Sequence, residues 1–134
     1  MDPTIGPLTL YGYDSVGPGW HPILSGLDAM MLQVMQNAKV KCHVEILQVK
    51  EKFGGLRIYW ESTGLDDRSD QMLAGAVWMA ENISFRTCEK CGDNFGTETR
   101  PRRGAKLSRT LTLCGLHHTE RDMTGTIRIG KSTI

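Results

Sequence analysis

Cys88, Cys91, Cys114 and His117 are the residues of this chain whose types and spacing can do chemistry. Two residues separate Cys88 from Cys91, and two separate Cys114 from His117, with 22 residues between the pairs. Three thiolates and an imidazole at that spacing can close a tetrahedron around one zinc ion. Such a set fills all four positions and leaves none for an activated water, so the expected role is structural. Gly92-Asp93-Asn94 follows Cys91 and is turn chemistry, which argues for a zinc knuckle rather than a redox Cys-x-x-Cys at a helix start. Cys114 and His117 read as the first turn of a helix running to about Met123. His118 is the rival fourth ligand, displaced by about 100° around that helix; the spacing favours His117. Knuckle, intervening hairpin and ligand-bearing helix predict a treble-clef-like unit.

The remaining chemistry is cationic. Lys50, Lys52 and Arg57 surround Gly54-Gly55, a corner whose amides could approach a phosphate or carboxylate. The segment lacks the spacing of a P-loop, and a solvated hairpin with a glycine-enabled turn explains it with less. Arg100, Arg102, Arg103, Lys106 and Arg109 form the densest basic cluster, on the loop between the two ligand pairs. Five cations there can track a phosphate backbone or dock on an acidic protein. No aromatic residue lies between Gly96 and Leu113, which weakens a stacking model for single strands. No G-x-S-x-G or H-E-x-x-H occurs, and His21, His43 and His118 form no readable catalytic set. The expectation is a protein that is not an enzyme, with a metal-dependent nuclease built on His118 as the minor alternative.

The elements that must position these groups follow from periodicity. Ile23, Leu24, Leu27, Met30, Met31, Val34, Met35 and Ala38 recur at helical spacing and predict a helix over about 22–38. Alternation of Val40, Cys42, Val44, Ile46 and Gln48 predicts a strand over 40–50, and Leu56, Ile58 and Trp60 a second one, joined around Gly54-Gly55 as a hairpin. Met72, Leu73, Ala76, Val77, Ala80 and Ile83 predict a helix over about 67–83, behind acidic capping candidates. Residues 1–21 read as an irregular arm packing Tyr and Trp on the core. Residues 126–130 read as an edge strand, and Cys42 as a small buried apolar residue. The fold class is α+β: two amphipathic helices on an antiparallel hairpin, with an embedded zinc subdomain. We expect a single domain over 1–134, with an α/β part at 1–86 and the zinc-binding part at 87–134.

Forty per cent hydrophobic and 23% charged residues in 134 describe an ordinary globular chain. With no apolar run near membrane-spanning length and no signal-like N-terminus, a cytosolic protein is expected. The net charge of +1 is unevenly spread. Residues 1–85 carry 6 Lys+Arg against 10 Asp+Glu, giving −4, and residues 86–134 carry 10 against 5, giving +5. A basic zinc-bearing half suggests an acidic partner, nucleic acid or protein.

Gly19-Trp20, QVKEKFGGLRIYW (48–60), Ala80-Glu81-Asn82-Ile83-Ser84, CEKCG (88–92) and TLCGLHH (112–118) together resemble a family of short bacteriophage and prophage proteins. The likeness covers about residues 17–120. It implies a small cytosolic protein of a phage or mobile element that acts on a host protein or nucleic acid, inhibition of a host defence system such as CRISPR included.

Overall fold

The computed structural model describes residues 5–38, 40–105 and 107–134. Its elements run α1 (Pro7–Tyr11), α2 (His21–Asn37), β1 (His43–Lys52), β2 (Gly55–Thr63), α3 (Asp67–Ser84), β3 (Glu98–Arg100), β4 (Leu111–Leu113), α4 (Gly115–Thr124), β5 (Arg128–Ile129) and β6 (Ser132–Thr133). The strands form three antiparallel pairs, β1 with β2, β3 with β4 and β5 with β6. The fold class is α+β, as expected. Among the described residues no helix is long and apolar enough to cross a membrane.

The predicted helices form within a residue or two of the expected bounds because each carries its own signals. α2 opens with Pro22 in its first turn, where the missing N–H costs nothing. α3 begins at Asp66, whose carboxylate accepts the amide of Ser69 at 2.7 Å. Leu24, Leu27, Met31 and Val34 of α2 and Leu73, Val77 and Ala80 of α3 are buried with Val44, Ile46, Val49, Leu56 and Ile58 of the hairpin. A second apolar cluster, Leu111, Leu113, Cys88, Cys114, Ile127 and Ile129, lies under the metal-ligand candidates.

Four local expectations are corrected. Residues 7–11 of the arm are helical, because the buried Asp28 carboxylate on α2 accepts the amide of Leu8 at 2.7 Å and so caps α1 from a distance. Trp20 is fully buried and Tyr13 packs against the core, as expected of the arm, whereas Tyr11 is exposed. β1 starts at His43 rather than Val40, and a bulge between Ile46 and Gln48 turns Val49, not Gln48, toward the core. The hairpin turn is Phe53-Gly54, both with positive φ (53° and 83°), and Gly55 already pairs with Lys52 as the first residue of β2. The last stretch is a hairpin, β5 with β6, rather than a single edge strand; Ile127 and Ile134 exchange both backbone hydrogen bonds at its open end.

Candidate metal centre and the basic face

Local backbone geometry brings the ligand pairs together. The Gly92 amide donates to the Cys88 carbonyl at 2.9 Å, and Gly92 has φ of 83°, so the chain turns back on itself between the first two sulfurs. The Asp93 amide points at the Cys91 sulfur at 3.4 Å. Cys114 is the N-cap of α4, which places His117 in the first turn facing the same point. The four ligand atoms lie within 4.8 Å of one another. Cys88 Sγ is 3.4 Å and Cys114 Sγ 3.2 Å from His117 Nδ1, and Cys91 Sγ is 3.9 Å from Cys114 Sγ. A zinc tetrahedron with ordinary bond lengths has S···S edges of about 3.8 Å and S···N edges of about 3.5 Å. The set is therefore dimensioned for one tetrahedral cation.

The electrostatics agree with that reading. Burial, reinforced by Lys90, holds the His117 imidazole below the ordinary histidine range, which keeps the ring neutral as a ligand must be. Desolvation among the neighbouring sulfurs pushes the Cys91 thiol up to about 11. The Cys91 thiol thus stays protonated unless a cation sits beside it and inverts the local preference. His118, the rival ligand, is 2% exposed and its Nε2 lies 2.7 Å from the carbonyl oxygen of Glu98. It braces α4 against β3 and does not reach the cluster.

The metal-bearing half is locked to the sheet through residues that the sequence reading passed over. Glu89, a spacer between two cysteines, is 3% exposed. Its carboxylate accepts the amide of Thr112 at 2.7 Å, and its own amide donates to the Thr112 carbonyl at 2.9 Å. Burial pushes this carboxyl up to about 8 against the stabilising Thr112 amide. The Thr112 hydroxyl donates to the carbonyl of Gly54 and lies 2.6 Å from that of Thr99. On the other side the Gly19 amide donates to the Glu89 carbonyl and the Trp20 indole to the Thr87 carbonyl, each at 2.9 Å. A Cβ on Gly19 would fall 1.9 Å from the Cys88 carbonyl oxygen, so only glycine fits under the knuckle.

These contacts correct the reading of Gly54 and Gly55 as an anion corner. Both are buried, the Gly54 amide donates to the Glu51 carboxylate at 2.7 Å, and the Phe85 ring fills the space beside Gly55. The corner docks the hairpin onto the metal-bearing half. Of the cations, Arg100 is half-buried in a bidentate pair with Asp122, at 3.2 and 2.7 Å, and also meets Glu98. Arg109 pairs with Glu51 on the hairpin. Lys106 lies outside the described residues. Arg102 and Arg103 carry no side-chain ion pair among the described residues, and Arg103 is exposed. Lys50 sits 5.4 Å over the Tyr59 ring, Lys52 lies 5.8 Å over the Phe53 ring, and Arg57 is half-buried on β2.

The structure brings hairpin and loop together, which their separation in sequence hides. A cleft of about 370 Å³ is lined by Glu51, Phe53, Ser108, Arg109 and Thr110. Phe53 is 75% exposed at its lip, so an aromatic ring stands beside the basic loop although none occurs within it.

Fold and site define an α+β protein with a Cys3His centre for one metal ion. No family model, curated protein or solved structure matches the chain.

Proposed function

We propose that the metal is zinc, that its role is structural, and that the protein acts without catalysis by binding a host protein as a phage-type factor, inhibition of a host defence system included. The observation that carries the structural role is the closed donor set: three sulfurs and one nitrogen at tetrahedral spacing, with the knuckle tied by hydrogen bonds to the Gly19 amide, the Trp20 indole and Thr112. Knuckle, β3–β4 hairpin and α4 follow the order of a treble clef, which we take this half to be. The phage setting rests on the sequence resemblance. The contact face is the joined surface of the hairpin tip and the 100–109 loop, where Lys52, Arg102 and Arg103 offer charge to an acidic partner.

Capture from a host lysate tests the reading. One protein retained with and without nuclease treatment, and lost in an Arg102→Glu/Arg103→Glu variant that keeps its zinc, is the expected result. Retention that disappears with nuclease would overturn it in favour of the second reading, a nucleic-acid-binding zinc protein. Phe53 and Tyr59 favour that alternative, being exposed rings next to cations on which bases can stack. The nuclease reading loses its key residue, since His118 is buried against the Glu98 carbonyl.

A further inference from the structure

A groove of about 510 Å³ runs between α2 and α3, with Gly26 and Gly75 opening its floor. A Cβ at either glycine would meet nothing within 4 Å. Around Gly75 on α3 stand Met72, Trp78, Met79 and Ile83, exposed by 48%, 70%, 63% and 41%. These are large apolar ridges directly beside a hole of their own size.

The face is also uncharged. The titratable residues of α2 are Asp28, buried against Leu8 and Thr9, and His21, whose ring nitrogen lies against the carbonyls of Tyr13 and Val16. Between Gln71 and Asn82 the only one on α3 is Glu81, whose carboxylate accepts the amide of Ile58 in the sheet at 3.0 Å.

We infer that this face pairs two copies of the chain, α3 against α3 in antiparallel sense. The spacing decides for a second copy. Gly75 and Met79 are one helical turn apart, so a two-fold axis at their midpoint seats each Met79 over the other copy's Gly75, filling both holes with one operation. Antiparallel helices also place opposite dipole ends side by side. The four exposed ridges offer on the order of 450 Å² of side chain per copy, over half the ~800 Å² that a standard interface buries on each partner. α2 flanks the groove and supplies Met30 and Ile23 to the remainder. Asp66, Asp67, Arg68 and Asp70 stand at one end of the apolar run and Arg86 at the other, so the same axis brings Arg86 toward a mixed set of charges on the other copy.

Sedimentation of the zinc-loaded full chain between about 1 and 100 μM tests this. The expected result is a mass that doubles with concentration. Gly75→Leu separates interface from fold. It replaces a mid-helix glycine by a strong helix former in open space, so at the dilute end the variant melts higher than wild type, while filling the groove weakens pairing by tenfold or more. Met79→Glu, on an exposed position, weakens pairing likewise with an unchanged zinc content. A wild-type chain that stays monomeric throughout, whatever other molecule then occupies the groove, overturns the inference. So does a dimer that survives Gly75→Leu.

Discussion

The hydroxyl of Thr112 donates to the carbonyl of Gly54 at 2.6 Å across 58 residues of chain, and both groups are buried. Through this bond the hairpin turn is fastened to the strand that leads into Cys114, so the sheet and the metal centre share one hinge-free junction. Thr112→Val keeps the shape and removes the hydroxyl, leaving the Gly54 carbonyl unpaired. We expect a loss of about 1–3 kcal/mol in a denaturant titration with zinc stoichiometry unchanged. A midpoint equal to wild type would show that the junction is held elsewhere.

Zinc removal should reach the other side of the molecule. Zinc binding in such sites contributes roughly 10–16 kcal/mol of apparent free energy, as much as the stability of a whole domain. Cys91→Ser, Cys114→Ser or a strong chelator should therefore unfold at least residues 87–134. Because the Trp20 indole bonds to Thr87, emission from a buried tryptophan should shift at the same time. His117→Ala should lose the metal, whereas His118→Ala should keep one zinc per chain and melt lower. Equal metal loss in both histidine variants would contradict the ligand assignment.

Phe53 holds a left-handed backbone conformation, φ 53°, that costs an L-residue with a Cβ roughly 1–2 kcal/mol. Asparagine tolerates it, and Asn-Gly is the preferred pair for this two-residue turn. Phe53→Asn should accordingly raise stability by about 1 kcal/mol, read as a higher melting temperature. The same change should weaken partner retention if the ring belongs to the contact face.

Arg100 and the amide of Arg103 hold the Asp122 carboxyl well below the usual carboxylate range. A depressed folded pKa means that the stabilisation is fully present above the ordinary carboxylate pKa and is lost as pH falls through the folded value. The stability difference between wild type and Asp122→Asn should thus be constant from neutral pH to about pH 5 and shrink from about pH 4 downward. Paired melting curves across that range check the sign, since acid release of zinc affects both proteins alike. A difference that grows on acidification would refute it.

What the chain discloses about itself depends on how local each cause is. α2 and α3 were readable because their apolar spacing and caps lie within their own residues, Pro22 and Asp66 among them, and α4 through the ligand pair at its start. The ligand set was readable because its chemistry fixes the spacing. α1 was not, since its cap is Asp28, twenty residues on. The bulge at Leu47 was hidden because alternation continues on paper after the register has slipped. Glu89 and Thr112 looked like spacer and strand filler, and only packing shows them to be the joint. The basic loop was legible as charge, but not that Arg100 and Arg109 are already spoken for by Asp122 and Glu51.

The indole bond from Trp20 to Thr87 spans 67 residues, and this separation carries a cost in time. At a synthesis rate of roughly 5–20 residues per second, Trp20 is added to the chain some 3 to 13 seconds before its acceptor. During that interval one of the largest apolar side chains of the core has no final berth, and the knuckle that closes over it can be completed only after Cys114 and His117 have been made. The centre can take up a metal ion only once both ligand pairs exist, and a nascent chain starved of zinc would be held with the knuckle beside its first tryptophan still open.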